Sequence, residues 1–308
     1  MKAPNSLHNS LVFFGTPEFS VPSLRELYDA GYDIRAVVTQ PDAPRGRGLV
    51  LTPSPVKVVA EELGLKVLTP EAVDDTFVDK IRAYAATTVI VVAYGKLLPE
   101  SLLSLTSYGT LNIHPSLLSS YRGAAPIETC ILNGDTYTGV TLMKLDAKLD
   151  HGPILSQSRV SIESDDTAGS LHDKLAAKGA QLLVQVLPRY LSGEVKPRPQ
   201  DHSRATFTEK IETKDAEIDW KKDATHIINQ IRAFNPRPVA WTTYNCERLK
   251  IFKARASQEA KLTPGYFQLD RSLKRLLIGS ATDPIEILEL QLPGKKRMSV
   301  SEYINGLK

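Results

Sequence analysis

The sequence predicts an α/β protein: a Rossmann-like, mainly parallel sheet domain over residues 1–191, a linker at 192–208 and a small OB-like β-barrel domain over 209–308. Three observations carry this reading. Apolar runs and helical patterns alternate over the first two thirds of the chain, as in a doubly wound sheet. The character changes at residues 192–208, which are polar and carry Gly193, Pro197 and Pro199. Beyond them, short apolar runs return at turn spacing, the pattern of a small barrel, of which an OB-like one is an option.

Leu11–Gly15 reads as a buried strand, followed by a helix that ends near Gly31. Ser20 and Pro22 suit the start of that helix, although Pro17 leaves its first residue ambiguous. Ile34–Thr39 is a second strand, and residues 40–53, rich in Pro and Gly, read as a loop. Ser54-Pro55 then opens a helix through Val56, Val59, Ala60 and Leu63, with Gly64 as its stop. Thr88–Ala93 is the clearest central strand because it is apolar on both faces. Gly109–His114 and Val140–Leu145 are further strands, and Leu171–Leu191 is an amphipathic helix. In the last third a helix fits Asp223–Phe234. The strand-like runs after it are Ala240–Tyr244, Leu249–Ala254, Gly265–Leu269, Arg275–Ile278 and Ile285–Leu290.

A length of 308 residues suits two domains at about 150 residues each. With 42% hydrophobic and 24% charged residues, the composition excludes a disordered or fibrous chain. No apolar run reaches the ~18 residues of a membrane span. The opening MKAPNSLHNS has no long apolar segment, so no secretory signal is expected. Cys130 and Cys246 are the only cysteines, which excludes a disulfide framework or a cysteine-rich zinc site. A cytoplasmic monomer is the expectation. Charge is uneven: residues 221–308 carry a net +8 and the rest a net −5. A basic tail on a near-neutral body fits a polyanion such as a nucleic acid, and equally a soluble domain that is simply basic.

Three stretches could carry chemistry. Asn112 and His114 lie two apart at the end of an apolar strand, so both side chains project from one face at the carboxyl edge of the sheet. An amide donor beside an imidazole suits a carbonyl carbon that becomes a tetrahedral oxyanion; the same residues also suit a structural histidine beside a turn. Asp146 and Asp150 enter a loop ending at Gly152, and either could reach His114 and hold its tautomer, or be a solvated turn residue. Arg122-Gly123 forces a turn before Ala124-Ala125-Pro126 opens a helix. The turn at Gly15-Thr16-Pro17 lacks the glycine spacing of a dinucleotide or phosphate loop, which argues against an NAD oxidoreductase. His8, His151, His172, His202 and His226 show no ligand spacing, so no metal is expected.

Together these segments resemble the folate-dependent formyltransferases, over nearly the entire chain. The family core is Asn-x-His-x-Ser-Leu-Leu followed by Leu-Asp-x-Gly. Here it is Asn112, His114 and Ser116-Leu117-Leu118, then Leu149-Asp150-His151-Gly152, with 38 residues from Asn112 to Asp150. Four further motifs are most similar to the branch acting on methionyl-tRNA. They are Phe14–Phe19; Thr39–Asp42 with Gly46-Arg47-Gly48 and Pro53–Lys57; Arg122–Ile127; and Phe234–Trp241. The chain departs from the family at Ser119-Ser120-Tyr121, at His151, where threonine is common, and at Leu49-Val50-Leu51, where lysines are common.

The resemblance implies a catalytic trio of Asn112, His114 and Asp150, with 10-formyltetrahydrofolate as co-substrate. It implies folate against Ser116, Leu117, Leu118 and Ser119, and its pterin near Gly95, Leu97 and Asp146. The fold it implies is a Rossmann-like domain joined to an OB-like barrel. The implied acceptor is the α-amine of initiator methionyl-tRNA. Arg45 and Arg47 on the 40–52 loop, and Lys250, Lys253 and Lys296 of the barrel, are candidates for tRNA; Arg255, Lys295 and Arg297 share that basic face. No membrane partner is expected. The alternatives are an N-formyltransferase of a nucleotide amino sugar, with the same trio and folate, and a catalytically silent RNA-binding protein.

Overall fold

The computed structural model describes residues 10–45 and 48–307. The chain divides into two compact units. One comprises Met1–Gly123, Thr138–Val160 and His172–Phe207; the other comprises Ala124–Tyr137, Ser161–Leu171 and Thr208–Lys308. Residues 192–207, read from composition as a linker, thus belong to the first unit. Main-chain pairing explains it: Ile154 and Arg198 exchange both hydrogen bonds at 2.8 Å, which ties this polar stretch to the body of the unit.

In chain order the elements begin with β1 (Ser10–Gly15), α1 (Val21–Asp29), β2 (Asp33–Val38), β3 (Ala43–Arg45) and β4 (Val50–Thr52). They continue with α2 (Pro55–Glu62), β5 (Val67–Leu68), α3 (Asp75–Arg82), β6 (Thr88–Val92), α4 (Glu100–Leu103) and β7 (Thr110–His114). Then come β8 (Arg122–Gly123), α5 (Pro126–Leu132), β9 (Tyr137–Lys144), β10 (Ile154–Ser161), α6 (Ala168–Leu191) and β11 (Phe207–Thr208). The seven-stranded sheet has the order β10-β9-β7-β6-β1-β2-β5. The pairs β2–β5, β1–β2, β1–β6 and β6–β7 are parallel, and β7–β9 is antiparallel. Every residue of β1 and β6 is buried, as expected for strands covered on both faces. Val12, Phe14, Val89 and Val91 share one side with Phe77, Val78 and Ile81 of α3. On α6, Gly179 lets the helix lie close to the sheet: a Cβ there would stand 2.8 Å from Ile113 Cγ2.

The strand order places the site. The chain runs outward from β1 through β2 to β5, then returns to β6 on the other side of β1. The carboxyl ends of β1 and β6 therefore flank the switch point, where open α/β sheets hold their ligands. Three side chains tie its floor together. Ser20 Oγ donates to Val92 O at 2.5 Å, Thr16 Oγ1 to Tyr94 O at 2.9 Å and Gln40 Nε2 to Tyr94 O at 2.7 Å.

In the second unit, α7 (Ala224–Ala233) precedes β12 (Trp241–Tyr244), β13 (Glu247–Ala256), β14 (Phe267–Asp270), β15 (Arg275–Ile278), β16 (Ile285–Gln291), β17 (Met298–Ser299) and α8 (Val300–Asn305). The strands form an antiparallel sheet in the order β12-β13-β16-β15-β14, with β17 paired to β16. The register of β13 against β16 slips at Ile251–Ala254, and such bulges strengthen the twist that curls an OB-like sheet. Its concave side is filled by Leu249, Ile251, Ile285 and Ile287 against Ile227 and Ile231 of α7. No helix among the described residues is long and apolar enough to cross a membrane.

Candidate active site

β7 carries Asn112 and His114 to the sheet edge. Asn112 is paired between Val91 of β6 and Met143 of β9, and its side chain makes no hydrogen bond among the described residues. His114, 4% exposed, is held by Tyr121 O, 2.9 Å from Nε2. A carbonyl can only accept, so this bond places a proton on Nε2. Nδ1 points elsewhere, with Asp150 Oδ1 at 3.6 Å. That separation exceeds hydrogen-bonding range and leaves both atoms open to a third group.

Asp150 sits in a turn with φ 46°, in the left-handed region that L-residues occupy at a cost. Two contacts hold it. Oδ2 accepts from Gly123 N at 2.9 Å, and its carbonyl accepts from Gln200 Nε2 at 2.8 Å. The structure thus brings Asp150, rather than Asp146, to His114. Asp146 turns away: Oδ2 lies 2.6 Å from His151 Nδ1, and Oδ1 accepts from Lys148 N at 3.0 Å.

The ring of His151 stacks on that of His202, centroids 3.8 Å apart and 4° from parallel. Arg122 Nη2 donates to His202 Nδ1 at 2.9 Å and to Gln200 Oε1 at 2.6 Å. Partial loss of solvent, then the positive charges of His151, Arg122 and Lys148, pull the His202 pKa below the ordinary imidazole value, with Asp146 opposing. This agrees with a neutral ring accepting at Nδ1. Histidine spacing alone points to neither His151 nor His202, because their partnership crosses fifty residues of sequence.

The 116–119 loop is gripped from behind. Thr141 Oγ1 donates to Ser116 O at 2.6 Å and accepts from Leu118 N at 3.1 Å. Gln157 Nε2 donates to Leu118 O at 2.8 Å, Ser116 Oγ to Ser120 O at 2.6 Å, and Ser119 Oγ to Asp201 O at 2.8 Å. Ser116 and Leu118 are buried and Leu117 half-buried, so their side chains shape the loop from within. After β6 the backbone is irregular, with Ala93 at φ 46° and Gly95 at φ 84°. A Cβ on Gly95 would stand 2.7 Å from Gln40 Nε2, and Leu97 projects almost wholly into solvent at 95% exposure.

The 40–53 stretch is more ordered than a loop. β3 and β4 pair as a hairpin with Arg45 opposite Val50; Arg47 lies outside the described residues. Leu49, and Val50 and Leu51 of β4, are exposed. In the second unit, Lys250 lines a cavity of about 590 Å³ with Lys210, Arg237, Pro238 and Glu128. Lys253 and Lys296 are exposed and form no ion pair among the described residues. Arg255 pairs with Glu286, and Arg297 with Glu289, so those cations are partly neutralised. Among the described residues, no cluster of three or more His, Cys, Asp or Glu could hold a metal ion.

The formyl transferase family model matches residues 8–187, and the model of the formyl transferase C-terminal domain matches residues 210–308. The chain belongs to the formyl transferase family. Among relatives of this formyl transferase, the methionyl-tRNA formyltransferase of Caldanaerobacter subterraneus subsp. tengcongensis is 43% identical over 298 residues, 96% of each chain. That of Methylococcus capsulatus is 44% identical over 297 residues, again 96% of each. Solved structures share the fold at lower identity. HypX from Aquifex aeolicus in complex with tetrahydrofolic acid matches with a TM-score of 0.65 at 18% identity, over 97% of this formyl transferase and 47% of HypX. WlaRD, a sugar 3N-formyl transferase crystallised with dTDP and 5-N-formyl-THF, matches with a TM-score of 0.68 at 21% identity, over 94% and 99%.

Proposed function

We propose that this protein transfers the formyl group of 10-formyltetrahydrofolate to the α-amine of initiator methionyl-tRNA, in the cytoplasm. The observation that carries the chemistry is the approach of Asp150 to His114 at the edge where Asn112 also projects. Relatives that are methionyl-tRNA formyltransferases along nearly the full length support the acceptor, and favour it over an amino sugar.

The amine attacks the formyl carbon in its neutral form, which is accessible near neutral pH because an α-amine titrates at about 8. Negative charge builds on the formyl oxygen. Asn112 donates to it through an amide committed to no other bond, and His114, in its imidazolium form, donates through Nδ1–H while Nε2–H stays on Tyr121 O. Asp150 keeps Oδ1 open, because Oδ2 is taken by Gly123 N, and Oδ1 accepts the proton the amine loses, directly or through one water. The C–N bond to the amine forms, the C–N10 bond breaks, and the proton ends on N10. Folate lies at the switch point, against Gly95, Leu97 and Asp146 and along the 116–119 loop. The irregular backbone there supplies main-chain donors and acceptors for a flat heteroaromatic ring. A gain of one formyl mass on methionyl-tRNA, after incubation with the donor folate, is the expected result. Transfer to a nucleotide amino sugar with none to methionyl-tRNA would overturn the assignment of acceptor.

The first unit carries transfer, and residues 209–308 hold the tRNA, with Arg45 and Arg47 as the candidate cations of the 40–52 stretch. Lys210, Arg237 and Lys250 gather on one cavity, and Lys253 and Lys296 add charge nearby in sequence to that basic tail. If each of these cations neutralises one phosphate, log affinity should fall against log salt with a slope of about −4. Removing Lys210, Arg237 and Lys250 together should flatten that slope by about 2 to 3. Titrations of labelled methionyl-tRNA at several salt concentrations test it, and a flat line for the unaltered protein would exclude phosphate-led binding.

A further inference from the structure

The carboxylate of Asp150 is only as useful as its placement, and that placement rests on a side chain fifty residues away. Gln200 is buried, and its amide is fully committed. Nε2 donates to the carbonyls of both Asp150 and Gly152, each at 2.8 Å. Oε1 accepts from Arg122 Nη2 at 2.6 Å, which fixes which way round the amide lies. A flipped amide would set Oε1 against two carbonyl oxygens and its NH₂ against a guanidinium.

The backbone of Gln200 is itself immobilised. Two residues earlier, Arg198 pairs with Ile154; one residue later, Asp201 O accepts from Ser119 Oγ at 2.8 Å. Arg122, 3% exposed, is steadied in turn by His202 Nδ1 and by the ring of Phe207, 5.9 Å from its guanidinium carbon. The turn that Gln200 grips is one that needs gripping, because Asp150 sits at positive φ. Both carbonyls bracketing the turn are satisfied by one NH₂ group, so the turn's orientation follows the amide's.

We infer that Gln200, oriented by Arg122, is a positioning residue that sets the Asp150 carboxylate against His114 for formyl transfer. The inference rests on the reading of Asp150 given above. Gln200 touches no reacting atom; it acts through the main chain on either side of the carboxylate.

The test compares Gln200→Met, Gln200→Glu, Asp150→Ala and the double variant Gln200→Met/Asp150→Ala, measuring kcat and KM for both substrates. Methionine keeps the volume and loses both donors. Glutamate keeps the shape and sets an acceptor against two carbonyls, and it provides the answer should Gln200→Met not fold. A displacement of about 1 Å at a reacting group can cost on the order of 10² in rate, so kcat should fall ~10- to 100-fold with KM near its original value. Adding Gln200→Met to Asp150→Ala should cost nothing further, because the group being positioned is already gone. Full kcat in a folded Gln200 variant, or penalties that multiply in the double variant, would overturn the inference while leaving the role of Asp150 standing. Full kcat in Asp150→Ala would instead overturn the reading of Asp150 beneath it.

Discussion

Replacing His114 by alanine is expected to lower formyl transfer by about 10²–10³-fold, the usual cost of one lost oxyanion donor, while the protein stays folded. The fold should survive because β7 is held by main-chain pairing to β6 and β9, and none of that ladder uses the imidazole. The variant does remove the hydrogen bond between Nε2 and Tyr121 O. One such bond is worth about 0.5–1.5 kcal/mol, which a domain stable by roughly 5–15 kcal/mol can bear. Asn112→Ala should lose a comparable factor at a smaller cost in stability, since the Asn112 amide has no partner to orphan. Asn112→Asp is the sharper version: it keeps the shape but sets an acceptor where charge develops, and should be at least as damaging. Initial rates at saturating folate and methionyl-tRNA, with circular dichroism as a check on folding, give the answer. Turnover near the original in either alanine variant would remove that side chain from the chemistry.

How much of this could be read from the sequence depended on whether the cause was local. β1 and β6 announce themselves because a strand buried on both faces must be largely apolar. The start of α2 was equally legible. Ser54 Oγ accepts from Lys57 N at 3.0 Å, the capping bond that Ser-Pro before an apolar run implies. The β3–β4 hairpin hid inside a Pro- and Gly-rich stretch whose few apolar residues, Leu49–Leu51, are exposed rather than buried. β10 hid because Gln157, Arg159 and Ser161 are exposed while serines occupy half-covered positions beside them, so no apolar run marks the strand. Asn112 and His114 follow from the two-residue period of a strand, but the choice between Asp146 and Asp150 does not follow from spacing. It is made by Gly123 N and Gln200, which approach the turn from elsewhere in the chain. Gln200 itself lies among prolines in a polar stretch, where nothing local marks one glutamine as structural. The basic tail was visible as net charge. Its partition was not, because Glu286 and Glu289 draw arginines into ion pairs while Lys250 gathers with Lys210 and Arg237.

Gly152→Ala should also be severe, for a reason of packing alone. A Cβ on Gly152 would fall 2.0 Å from Lys144 O and 3.3 Å from Asp146 N, so it meets backbone that cannot rotate away. The end of β9 is anchored there, because Lys144 N donates to Pro153 O at 2.9 Å. Relief must come from the turn itself, and the turn carries Asp150 two residues before the added methyl. Its displacement also strains the Gln200 bond to Gly152 O, one of the two that orient the loop. The variant should therefore lose about 10²-fold in kcat, the scale of a misplacement near 1 Å, together with roughly 1–3 kcal/mol of stability from overpacking. Gly64→Ala separates the two effects. Gly64 has φ 67° with open space where its Cβ would lie, so alanine there costs about 1 kcal/mol of backbone strain and meets nothing near the site. Measured well below both melting temperatures, Gly64→Ala should retain its kcat and Gly152→Ala should not. Equal kcat in the two variants would mean that the Asp150 turn absorbs the methyl without moving the carboxylate, and that the close approach at Lys144 serves stability alone.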